Sequence, residues 1–284
     1  EKRLSYGQLV GAQGGMTALL HAARQGHTES VQALIELGAD INQVGGADST
    51  SVLMIATING HFDLAMYLLE QGADPTLSSV AGATPLYAAL NVQWAPKTLY
   101  PQPRAHTQQQ HSHIDLMRML LQAGADPNVR LSKKIWYSGY NFDLSGVNEV
   151  GGTPFWRAAY AADVRAMRLL VENGADPDIW TQVLACQREL VDPDVPDNPD
   201  NDEPDPDDPS GLAAVAHGGP AVHAIHAASG VGFGTSRVAQ THRSAPNGWL
   251  SSMQYLIGEL GVDPNLRDKD GLTALHHSAA RGDN

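Results

Sequence analysis

Twelve histidines, a single cysteine and one dense run of acids are the side chains whose types suit catalysis or metal binding. His223 and His226 stand three apart, which places both on one helix face, and His276 and His277 are adjacent. A zinc protease needs His-Glu-x-x-His and a hydrolase of the nucleophile-elbow type needs Gly-x-Ser-x-Gly; neither occurs. Cys186 has no paired histidine motif of the kind a thiol nucleophile needs. Gly230-Val231-Gly232-Phe233-Gly234 has the glycine density of a phosphate loop, but it follows a helical pattern rather than a strand and lacks the lysine. From Asp192 to Pro209, acids alternate with prolines. Clustered carboxylates suit calcium, yet the Asp-x-Asp-x-Asp-Gly order and the closing Glu of a calcium loop are absent. The run reads as a solvated linker, with calcium binding as its rival reading. No catalytic, cofactor or metal residue is assigned from these signals, and no enzyme is expected.

Composition narrows the classes further. Hydrophobic residues are 42% of the 284, enough for a packed core. The net charge is −13, but nine acids between Asp192 and Asp208 carry most of it and the remainder is −4. Without a broad basic patch, nucleic acid and anionic membrane are poor partners. No apolar run reaches the roughly 18 residues of a membrane helix, so no membrane insertion is expected. One cysteine excludes an internal disulfide. The start at Glu1 reads as a processed or truncated end without a signal-peptide pattern. Exported, periplasmic and cytoplasmic locations stand level.

The elements that would carry any site come from an internal period. A Gly-Ala-Asp phrase recurs at Gly38, Gly72, Gly124 and Gly174, with a fifth version, Gly261-Val262-Asp263. A second phrase precedes each copy: Thr17-Ala18-Leu19, Ser51-Val52-Leu53, Thr84-Pro85-Leu86, Thr153-Pro154-Phe155 and, more weakly, His223-Ala224-Ile225; it begins again at Thr273-Ala274-Leu275. Thr17 to Ser51 is 34 residues and Ser51 to Thr84 is 33. The hydroxyl of Thr or Ser caps a first helix, and Pro85 and Pro154 sit where a helix needs no donor. Leu19, Leu53, Leu86 and Leu275 are expected to point inward. Second helices place apolar residues at i, i+3 and i+4, as in Ala65, Leu68, Leu69 and in Met253, Leu256, Ile257. The glycine that follows ends each second helix.

These phrases resemble the ankyrin repeat, with Thr-Pro-Leu-His near its start and Gly-Ala-Asp near its end; Thr273-Ala274-Leu275-His276 is the fullest His-containing copy. The stretches Gly151–Ala159 and Gly219–Gly230 resemble long ankyrin-repeat proteins of environmental bacteria, some of them exported. The resemblance implies an all-α solenoid of helix-turn-helix units with short β-hairpin loops. It also implies recognition of a protein partner through a concave face of hairpin tips and first helices, here widened by long loop insertions. It gives most histidines a structural role: His226 and His276 support a neighbouring turn, and His27 and His61 sit at helix–helix turns.

Residues 1–14 read as a lead-in from a preceding repeat. Residues 15–180 read as repeats 1–4, 181–218 as an acidic linker insertion, 219–270 as repeat 5 and 271–284 as the first helix of a sixth. The chain is therefore expected to be an excerpt of a longer stack. Surplus residues fall at about 91–111 and 230–248 between helices, and at about 131–150 and 181–218 in hairpins. Loops this long are uncommon unless functional or disordered. Trp94 and Tyr100 lie in the first, and Trp136, Tyr137, Tyr140 and Phe142 in the second beside Lys133 and Lys134. Aromatics beside cations mark interfaces, so these six are the candidate partner-binding residues. The alternative is that the rings fold back over the solenoid's own edge. A structural role is the rival function, with self-association or end-to-end docking through exposed solenoid ends.

Overall fold

The computed structural model describes residues 15–94, 105–135, 147–184, 213–233 and 244–282. Helices pair in chain order. They are α1 (Ala18–Gln25) with α2 (Thr28–Glu36), α3 (Val52–Ile58) with α4 (Phe62–Glu70), and α5 (Pro85–Trp94) with α6 (His113–Gln122). Then come α7 (Pro154–Tyr160) with α8 (Val164–Glu172), α9 (Ala224–Ala228) with α10 (Gly248–Met253), and α11 (Ala274–Arg281). The first helix of each pair packs on the first helix of the next, forming an all-α repeat solenoid. Hairpin pairing between repeats reduces to single bridges, Val44 with Ser51, Gln182 with Pro220 and Arg267 with Thr273.

The local reasons match the repeated phrases. The backbone N–H groups of Leu20, Met54, Tyr87 and Trp156 donate to the hydroxyls of Thr17, Ser51, Thr84 and Thr153 at 3.2–3.4 Å. Gly38, Gly72, Gly124 and Gly174 close the second helices at φ of 88–102°, where a Cβ would be strained. Ala23, Ala56, Ala89, Ala159 and Ala228 are sealed, so the inner helices approach without a bulky side chain between them. Leu19, Leu53, Leu86 and Phe155 face the core, as do Val31, Leu68, Leu120, Leu170 and Leu256 from the outer row. Each such burial contributes about 1.5–3 kcal/mol.

Three details depart from the sequence reading. Leu275 does not point inward: it is 77% exposed, because among the described residues α11 has no second helix packed beside it. Ile257 is 39% exposed, because the helix turns π-helical over Gln254–Glu259 and rotates its face. Tyr255 and Leu256 are buried instead, with Leu260 packed against the core. Finally, α5 runs on through Trp94, so Asn91 is a buried helix residue and not the start of a loop.

Candidate partner-binding surface

The inner helices were expected to line an open concave face. In the middle of the stack they do not. Every residue of α7 and α9 is buried, as is every residue of α5 through Asn91 and of α3 through Thr57. By contrast, α1 exposes Ala18, His21, Arg24 and Gln25.

Part of the covering comes from the hairpin insertion. Leu131 and Ile135 are buried against Met54, Ala83 and Tyr87, a small apolar cluster separate from the main core. The Ser132 N–H donates to the Ala81 carbonyl at 2.8 Å, and Leu131 exchanges backbone bonds with Gly151 and Gly152. The two backbones approach so closely that a Cβ on Gly82, at φ +76°, would stand 2.6 Å from the Arg130 carbonyl oxygen. Arg130 ties its own hairpin to the next by donating Nε to the Gly151 carbonyl and Nη2 to the Trp180 carbonyl at 2.7 Å.

On the opposite edge, the insertions between helices return across the turn of the preceding repeat. Asp63 accepts from the N–H groups of Gln110 and His111 and contacts the His111 ring at 2.8 Å, while its own N–H donates to Gln109. Burial pushes the Asp63 carboxyl up, but these donors outweigh it and hold it below its ordinary range. His106 lies over Gly60 and against Phe62. Likewise the Ala245 N–H donates to the Ala161 carbonyl, and Gly248 touches Ala162, which itself sits at φ +51°.

The densest polar cluster lies between repeats 3 and 4. Asp163 caps α8 through the Ala166 N–H at 3.1 Å. Its other oxygen accepts from the Trp94 indole at 2.9 Å and meets His113 Nε2 at 2.8 Å. Burial alone would raise the Asp163 carboxyl; His113, the Ala166 N–H and the indole together bring it below the usual range. Beside it, buried Arg157 donates to Asn91 Oδ1 and to the Trp94 carbonyl, and Trp156 stacks on Tyr160 at 5.4 Å.

Of the six sequence candidates, Trp94 is thus half-buried with its N–H spent inside the solenoid. Tyr100, Trp136, Tyr137, Tyr140 and Phe142 lie outside the described residues, as do Cys186 and the acidic run. Asp63, Arg130 and Asp163 were missed. For Asp163 alone register offered a clue, since it occupies the turn position that His61 holds in repeat 2, where His61 Nε2 meets the Arg24 carbonyl at 3.1 Å. Among the described residues no group of three or more His, Cys, Asp or Glu is placed to hold a metal ion. No helix there is long and apolar enough to cross a membrane. At the hairpin tips an exposed polar row remains, with Asn42 and Asn128 accepting from the N–H groups of Asp74 and Asp176.

Comparison with protein families gives matches along most of the chain. The family described as ankyrin repeats (3 copies) matches residues 3–79. That described as ankyrin repeat matches residues 81–131 and 150–182, and that described as ankyrin repeats (many copies) matches residues 241–284. No curated protein matches the chain.

Proposed function

The chain belongs to the ankyrin-repeat family, whose repeats are generally protein–protein interaction modules, and from that premise we propose that it is a non-catalytic scaffold recognising a protein through its insertions and hairpin tips. The observation that carries this reading is the covered inner row. With α5, α7 and α9 buried, the contact area falls to other segments, among them Leu131–Ile135, which packs on α3 and α5. Those segments are braced: Leu131 and Ile135 anchor one, Asp63 another and Ala161 a third. A loop held at its base loses less conformational freedom on binding. Trp136, Tyr137, Tyr140, Phe142 and Tyr100 supply the aromatic anchors such interfaces favour.

The test starts from affinity capture with the full chain and identification of the captured protein. Trp136→Ala and Tyr140→Ala should each weaken binding by about 1–2 kcal/mol with folding unchanged. Unchanged affinity with a lower melting temperature would assign the rings to the solenoid's own packing.

A second reading rests on the segment at α11, where Leu275 is 77% and Leu272 37% exposed. Exposed apolar side chains there support self-association. Light scattering across a concentration series separates the two: constant mass fits a scaffold, and mass rising with concentration fits assembly.

A further inference from the structure

We propose that the fifth repeat is an acid-sensitive joint, in which protonation of His223 and His226 uncaps α9 and loosens the hairpin and α11 that pack on it. Four repeats begin their first helix with a hydroxyl, at Thr17, Ser51, Thr84 and Thr153, which does not titrate. The fifth places His223 there. The Ile225 N–H donates to His223 Nδ1 at 3.3 Å, and the His223 N–H donates to His226 Nδ1 at 3.1 Å. A neutral ring that accepts at Nδ1 carries its proton on Nε2. His226 Nε2 is accordingly placed to donate to the Leu266 carbonyl at 2.9 Å, tying α9 to the following hairpin. An imidazolium has donors at both nitrogens. A proton on Nδ1 would therefore face a backbone N–H, remove the cap and leave a buried donor without a partner.

Both rings are fully buried, so neither can turn its Nδ1 to water. Several groups surround them. Trp180 packs on both at centroid distances of 5.0 and 5.7 Å. Asp178 stands 3.5 Å from His223 Nε2, with its side chain 77% exposed. From α11 His277 lies 5.8 Å from His226 and holds Asp268 at 2.7 Å. Lys269 donates its N–H to the Ala221 carbonyl, with its ammonium turned to Asp270. Asp178 and Asp268 favour a charge on the rings. Burial and the neighbouring histidine oppose it more strongly. Burial lowers His226, and burial together with His226 pushes His223 from 6.5 down to about 4.

A base lowered on folding leaves stability intact above its unfolded value and removes it as pH falls from there toward the folded one. From His223 alone, the opening equilibrium of this joint should rise about 20-fold between pH 7 and pH 5.

Hydrogen exchange on the full chain at both pH values, corrected for intrinsic rates, reads this directly. Protection in residues 220–229 and 266–281 should fall about 20-fold or more, while α5 and α8, which hold no histidine, keep theirs. His223→Thr with His226→Gln installs a capping box that does not titrate and should keep protection at pH 5. If that double variant is already unprotected at pH 7, His223→Thr alone carries the test and should shrink the acid effect by about 20-fold. Equal protection of the native chain at both pH values, or an undiminished acid effect in the variants, would overturn the proposal.

Discussion

Asp163→Ala removes one carboxylate that three groups use. Oδ1 caps α8 through the Ala166 N–H, and losing a cap costs about 1 kcal/mol. Oδ2 serves the Trp94 indole and His113 Nε2. Their surroundings are partly open, His113 being 12% exposed, so each orphaned donor costs about 1 kcal/mol, the low end of the range. The expected loss is therefore about 3 kcal/mol, measured as a shift in urea midpoint at constant slope. Asp163→Asn keeps an oxygen for the cap but loses the charge, and should cost about 1 kcal/mol. Because a repeat couples mainly to its neighbours, lost exchange protection should centre on α6, α7 and α8. A loss below about 1 kcal/mol for the alanine variant, or protection lost evenly along the chain, would mean that Asp163 does not hold these groups together. Trp94→Phe isolates the indole N–H; a drop of about 1 kcal/mol with unchanged partner affinity would assign Trp94 to the solenoid rather than the interface.

Other outcomes follow from the same contacts. Leu131→Ala and Ile135→Ala should each cost about 2–4 kcal/mol in urea unfolding, since both are sealed against Met54 and Tyr87. A cost under about 1 kcal/mol would mean that the hairpin does not pack on the inner helices. Replacing residues 192–209 with a short Gly/Ser linker should leave stability within about 0.5 kcal/mol, whereas a loss near 3 kcal/mol would show that the acidic run packs.

The repeat itself was legible because its signals are local and redundant. Most copies carry a hydroxyl cap, small alanines, a 3.6-period stripe and a closing glycine, so a departure in one copy, such as His223 in place of the hydroxyl, is corrected by the others. The misreadings arose where the period breaks. Nothing in Met253–Ile257 announces the π-helical turn that rotates Ile257 outward, because the apolar spacing there fits an ordinary helix. Leu275 matches its counterparts in sequence, yet burial is decided by what packs beside it. Counting places Asn91 in a loop, whereas α5 runs past it and its side chain accepts from Arg157, 66 residues away. Asp163 was invisible for a similar reason. An acid where other repeats carry a turn histidine gains meaning only once Trp94 and His113 are brought to it from 69 and 50 residues away. The covering of the inner helices is likewise a tertiary fact, since Leu131 and Ile135 are two apolar residues in a segment otherwise read as an insertion.

On this reading, partners meet the insertions and hairpin tips, not the inner helices. Hydrogen exchange of the chain alone and bound to its captured partner tests it most directly. Binding should add protection in residues 95–104, 136–146 and the hairpin tips around Asp74, Asp126 and Asp176, with α5 and α7 unchanged. New protection concentrated in α5 and α7, with the insertions unaffected, would contradict it.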